Sequence, residues 1–282
     1  MRAKRGGISY VLPSLLGLSL FFLIPFVISL RYVFSKGIAD MRFVGLGNFS
    51  ELLRNPAFQL AVRNTAIFMA VSVPALTLGA LLLAMLLADG GHKLVRGALL
   101  APMIVPVASA LLGWSAVFGV NGMLNALRGL FSGTPREYFS DPYARWVLIF
   151  LFLVKNLGYM TIILGGAIAA IPKEYREAFS LDSSSGVKYT FRVVTPIISP
   201  VIFFVIILSV VNCFQVFREV YGLYGDHPPN SLYMLQNFMN NNFLKLNYNR
   251  LCAASFLVSM TLAAFIFLYL YVRRKREREV GE

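Results

Sequence analysis

Two sets of side chains in this sequence are spaced so that they could do chemistry together. One is a charged island, "IPKEYREAFSLDSSSGVKYTFRVVTPIISP" (residues 171–200). It gathers Lys173, Glu174, Arg176, Glu177, Asp182, Lys188 and Arg192 around a run of serines. Acids and bases mixed this closely suit docking through charge-assisted hydrogen bonds. They equally suit an amphipathic segment resting on a membrane surface. The other set is a polar row, Ser209, Asn212, Gln215 and Glu219, at i, i+3, i+6 and i+10. That spacing shares one helical face, which presents donors and acceptors or hydrogen-bonds neighbouring helices. Lys155 and Asn156 break a further apolar run. A charge there is costly; it faces a cavity, finds an ion-pair partner or snorkels to an interface.

Other chemistries lack the residues they need. Cys213 and Cys252 sit inside apolar runs without ligand-like spacing and read as packing residues. His227 stands beside Asp226 in a turn, and His92 is the only other histidine, so no metal or catalytic constellation is expected. "SSSGVKYT" lacks the Gly-x4-Gly-Lys-Ser/Thr spacing of a phosphate loop, so the chain is not expected to bind ATP. The sequon Asn48-Phe49-Ser50 reads as incidental.

The elements that must hold these groups follow from composition. The chain has 282 residues, 57% hydrophobic and 14% charged, against about 25% charged in soluble domains. Lipid is the implied solvent. Six apolar runs approach the roughly 20 residues a spanning helix needs: about 10–30, 65–88, 97–118, 146–171, 196–217 and 251–272. The first is too long for a signal-peptide core and no cleavage site follows, so it reads as an uncleaved span. Pro25, Pro74, Pro102 and Pro106 are expected to kink these helices rather than break them. The net charge of +13 lies mostly between and beyond the runs, which points to membrane lipid and not to nucleic acid. Basic density is highest at the termini (Arg2, Lys4, Arg5; Arg273, Arg274, Lys275, Arg276, Arg278), so both termini are expected in the cytoplasm. Loops near 31–64, 119–145 and 218–250 then lie outside.

The prediction is an all-α membrane protein of one domain, residues 1–282. It comprises a first span with its external loop (about 1–64), a five-span core (about 65–272) carrying the island as a cytoplasmic loop (172–196), and a basic tail (273–282). Within the island, Pro172 suits a first helical turn, and Glu174 and Glu177 suit the positive end of the helix dipole. Ala178, Phe179 and Leu181 give an apolar side. "DSSSG" then breaks the helix, and Asp182 or one of Ser183–Ser185 can cap a second. A helix–turn–helix at the membrane surface is expected.

These residues resemble the EAA loop of permease subunits in binding-protein-dependent ABC importers. That pattern is Glu-Ala-Ala, three residues, Gly, nine residues, Ile, one residue, Leu-Pro. Glu177, Ala178 and Phe179 stand at Glu-Ala-Ala, Ser183 at the glycine, Val193 at the isoleucine, Thr195 at the leucine and Pro196 at the proline. Phe179, Ser183 and Thr195 depart from it, and Gly186 is placed to loosen the turn instead. "FVGLGNFSELLRNPAFQLAVRNTAIF" and "GVNGMLNAL" are similar to segments of the carbohydrate-type, maltose-F-like branch, and the likeness covers nearly the whole chain.

The resemblance implies a type I ABC importer permease fold and a place in a bacterial or archaeal plasma membrane. It implies that Glu174, Glu177, Ala178, Asp182, Ser183, Gly186 and Pro196 couple the chain to an ATPase. Lys155, Asn156, Asn212, Gln215 and Glu219 become candidates for the path of a sugar. The implied partners are a second permease subunit, a dimer of ATP-binding subunits and an extracytoplasmic solute-binding protein. No cofactor is expected in this chain, and ATP and Mg belong to the partner ATPase, so the chain is a transport subunit rather than an enzyme. The alternatives are another solute, such as glycerol phosphate or a polyamine, and a secondary transporter. A membrane enzyme would need catalytic residues this sequence lacks.

Overall fold

A computed structural model describes residues 4–37, 41–88 and 93–280. Arg2, His92 and the last two residues of the tail lie outside the described residues. Six helical stretches are long and apolar enough to cross a membrane: Tyr10–Phe34, Pro56–Leu86, Val107–Leu130, Ala144–Ala169, Ser199–Tyr224 and Tyr248–Arg273. Their number and order match the six apolar runs.

The boundaries differ for local reasons. The second helix, α4 (Pro56–Leu86), starts well before residue 65 because Asn55 Oδ1 accepts the amides of Ala57 (2.9 Å) and Phe58 (3.2 Å), a side-chain cap. The third run is two helices, α5 (Lys93–Ile104) and α6 (Val107–Phe118), with Pro106 extended between them at φ −56°, ψ 144°. The expectation that every proline only kinks its helix fails there. Proline pushes the residue before it, Val105, out of the helical region, and Pro102 has already removed one donor from the turn above. The segments expected outside are also not bare: α3 (Gly47–Leu53) and α14 (Leu235–Leu244) lie between the long apolar stretches, while α7 (Met123–Leu130) and α13 (Phe217–Tyr224) extend the third and fifth of them.

The chain divides into two compact units, Met1–Gln59 with Phe238–Glu282, and Leu60–Asn237. In the first, α1 (Lys4–Leu18) passes through a wide turn at Ser19–Leu23 into α2 (Ile24–Phe34), and α15 (Tyr248–Val280) closes the unit. Phe34, Phe49 and Phe256 form a triangle of rings 6.1–6.2 Å apart. The carbonyls left open at the end of α2 are taken by two distant asparagines. Asn48 Nδ2 donates to Val33 and Ser35 (both 2.8 Å), and Asn249 Nδ2 to Ser35 (2.5 Å) and Tyr32 (3.0 Å). The amide of the sequon is therefore buried and occupied, a structural role.

In the second unit α8 (Ala144–Ala169) is the most enclosed span. Phe152, Met160 and Leu164 from α8 pack with Phe68 and Leu76 of α4 and with Val205 and Val220. The Phe68 and Phe152 rings meet edge-on at 5.5 Å. At Gly158 the backbone of α5 crosses so closely that a Cβ there would lie 1.8 Å from the Leu99 carbonyl oxygen. Small residues let membrane helices approach to this distance. α12 (Ser199–Gln215) leads into α13 across Val216.

Candidate functional site

The break at Pro106 opens a cavity of about 360 Å³ between α5, α6, α8 and the start of α13. Its wall is mostly apolar, with Val105, Val117, Leu148 and Phe152 and the indole of Trp114. Trp114 is held edge-on by Phe150 at 6.3 Å. Two charges enter this wall, Lys155 from α8 and Glu219 from α13, and they form an ion pair through Lys155 Nζ and Glu219 Oε1. The side chains are 29% and 11% exposed. Glu219 Oε2 is buried and, among the described residues, has no hydrogen-bond partner.

The remaining candidates for the path lie elsewhere. Asn212 Nδ2 donates to Asn156 Oδ1 at 3.0 Å, and Asn156 Nδ2 donates to the Phe152 carbonyl at 2.8 Å. These amides bind α12 to α8 and do not line the cavity. Ser209 is fully buried and donates to Val205 one turn back (2.7 Å). Gln215, the last residue of α12, is exposed and accepts from Arg218 (2.6 Å). The polar row is thus not one stripe. Ser209 and Asn212 stabilise helices, and the cavity takes only Glu219 from that row and Lys155 from α8.

The island forms two arms. α9 (Lys173–Asp182) follows Pro172, which sits just before the helix rather than in its first turn. Glu174 is in that turn. Ser183 is extended, at φ −162°, ψ 137°, a conformation open to any residue, so the glycine of the pattern is not needed here. Ser183 Oγ accepts the Ser185 amide (3.3 Å), and Ser185 Oγ accepts the Lys188 amide (3.4 Å), which caps α10 (Gly186–Tyr189). Gly186 therefore begins a helix and does not make the turn, and a Cβ there would meet open space. Helical turns continue through Thr190–Val194 to α11 (Thr195–Ile197), which contains Pro196.

Phe179 and Tyr189 clamp the arms together at 5.5 Å. Glu174, Glu177, Ala178 and Asp182 face solvent. So do Leu181, 89% exposed, and Val187, 68% exposed. The apolar side of α9 is therefore split, with Phe179 packed inside the island and Leu181 displayed.

Sequence reasoning missed Trp114 and Ser109 in the cavity wall. It also missed an anchor in the same unit: Arg145 donates to Asn64 Oδ1 (2.7 Å) and to the Ser231 carbonyl (3.1 Å), and Asn64 donates to Asn230 (2.6 Å) and Tyr233 (3.0 Å). It fixes the segment after "GDHPP" to α8 and α4. The partners are carbonyls from distant segments, for which sequence carries no signal.

No protein-family model matches the chain. Among curated proteins it is similar to the "Probable ABC transporter permease protein YesP" of Bacillus subtilis (strain 168), 30% identical over 276 residues, covering 92% of this chain and 88% of that one. It is equally similar to the lactose transport system permease protein LacF of Rhizobium radiobacter, 30% identical over 272 residues, covering 92% and 90%. Among solved structures it is similar to a chain of the bacterial alginate ABC transporter in complex with alginate pentasaccharide-bound periplasmic protein. That match has a TM-score of 0.78 at 18% identity, covering 94% of this chain and 93% of that one, which is a likeness of fold.

Proposed function

We propose that this chain, which belongs to the family of ABC transporter permease proteins, forms half of the translocation path for a sugar in an ATP-driven importer. It is a multi-pass membrane protein and a transport subunit. In this reading it pairs with a second permease in a bacterial or archaeal plasma membrane, both termini cytoplasmic. A dimer of ATP-binding subunits supplies ATP hydrolysis, and an extracytoplasmic binding protein delivers the solute.

The observation that carries the reading is the island. Leu181 is displayed on the same helix as exposed Glu174, Glu177 and Asp182, and Val187 is exposed on the second arm. Exposed apolar side chains set among charges suit a docking surface. The Phe179–Tyr189 contact joins the two arms, so closure of an ATPase dimer can be passed through Pro196 and α11 into α12. Support for a sugar comes from LacF, named for lactose, and from a cavity that combines an aromatic wall with the Lys155–Glu219 pair and the Ser109 hydroxyl. Its paired charges fit a phosphate ester or a polyamine less well.

The test is Glu177→Lys in the importer reconstituted in liposomes. The variant is expected to co-purify with its partners and to lose at least tenfold in solute moved per ATP hydrolysed. Transport equal to wild type would remove Glu177 from coupling. A chain that transports alone, without an ATPase, would overturn the whole reading.

A further inference from the structure

We propose that Glu219 is a specificity-determining residue: it holds the cavity electrically neutral, so that the path takes an uncharged sugar unit and turns away anionic ones. The inference rests on the reading of this cavity as part of a solute path, and deepens it.

The argument starts from the lining. Among the described residues, Lys155 and Glu219 are the cavity's two ionisable residues, and they are paired with each other. The lining charge is therefore zero. Without Glu219, Lys155 would be a single cation in an apolar wall. Field from an unpaired charge is strong in such surroundings and draws a counter-ion. A uronate or a phosphate ester would be the preferred cargo. With Glu219 present that attraction is cancelled.

The second observation is the orphan oxygen. Glu219 lines the cavity and is 8% exposed, but its Oε2 is buried out of reach of the cavity's space and has no partner among the described residues. A buried acceptor left unmet is costly. A neutral sugar needs no charge from this wall and lays its ring C–H face against Trp114. An anionic group finds no net counter-charge in the paired wall to offset the hydration it loses on entry. One carboxylate thus sets the charge of the wall, because Oε1 silences Lys155. A volume of about 360 Å³ is at the small end for ligand pockets, which suits one sugar ring.

The experiment is competition binding by saturation-transfer NMR on the assembled importer in lipid nanodiscs. The probes are maltotriose and trigalacturonate. Wild type is expected to favour maltotriose. Glu219→Gln keeps an acceptor for Lys155 but removes the charge, and should shift the preference at least tenfold toward trigalacturonate. The double variant Lys155→Gln with Glu219→Gln is neutral again and should return the preference to maltotriose, an outcome a merely structural role would not produce. Ser109→Lys adds a cation to the same wall with the pair intact. It should shift the preference in the same direction as Glu219→Gln, and it decides the matter if that variant does not assemble. An unchanged ratio in the variants that assemble, or no binding of either probe to assembled wild type, overturns the proposal. Failure of wild type to co-purify with an ATP-binding subunit would instead overturn the importer reading, and is seen before any probe is added.

Discussion

Two ion pairs of the same chemistry sit in different solvents. Lys155–Glu219 bridges two helices at the wall of an apolar cavity, with side chains 29% and 11% exposed. Arg250–Glu51, at 2.5 Å, lies in the other compact unit, with side chains 37% and 41% exposed. Lys36 also reaches Glu51, at 3.4 Å. If Arg250 is lost, water and Lys36 remain for Glu51. If Lys155 is lost, Glu219 has one oxygen newly bare and another already bare. The difference teaches that a charge pair is worth what its members would face without each other.

The largest effect expected is therefore from Lys155→Met. Breaking a buried pair by removing one partner costs about 3–5 kcal/mol, and denaturant titration in detergent micelles should read a loss of that order. Removing both charges in Lys155→Met with Glu219→Leu should recover most of it, because a buried pair replaced by apolar residues is close to neutral. A double-mutant cycle that found no coupling would erase the contrast. Gly158→Ala comes next. Its Cβ would meet the Leu99 carbonyl oxygen at 1.8 Å, and backbone cannot rotate away as a side chain can. Overpacking costs about 1–3 kcal/mol, and moving α5 would also widen the cavity that isolates the buried pair. Thermal unfolding checks the first part. The second is checked by accessibility of a cysteine placed at Ser109.

The two regions also differ in how far sequence revealed them. The island was legible because its chemistry is local: the acids, the serine cap and the closing proline all lie within residues 171–200. Even there, Gly186 was expected to loosen the turn, whereas it begins α10, and the extended backbone of Ser183 asks for no glycine. The cavity was not legible as a site. Lys155 and Glu219 were each visible as a charge in an apolar run, but 64 residues separate them and no pattern paired them. The polar row assumed one unbroken helix from Ser209 to Glu219. The change of helix at Val216 and the Asn156–Asn212 bond give its members different roles. Gly158 is one of 22 glycines, and only the neighbouring helix distinguishes it. Local capping and spacing travel with sequence; which groups face each other across helices does not.

The surface pair gives the smallest effect and the sharpest contrast. Arg250→Ala should cost less than about 1 kcal/mol, as exposed pairs do. The Arg250 hydrogen bond holds the Glu51 carboxyl below its ordinary value of 4.5, with partial burial working against it and Lys36 assisting. A depressed acid stabilises the fold when ionised. Its contribution is complete above the unfolded value of 4.5 and fades as pH falls through the lower folded value. The melting temperature of wild type should therefore drop slightly as pH is lowered below that point, and Glu51→Gln should lose that component of the slope. Added salt should flatten the wild-type slope too, because exposed charges are screened within about 10 Å at 0.1 M. The Lys155–Glu219 coupling, between the less exposed side chains, should hold better at the same salt. Equal salt sensitivity in the two pairs would mean that water reaches the cavity pair as freely as it reaches Glu51.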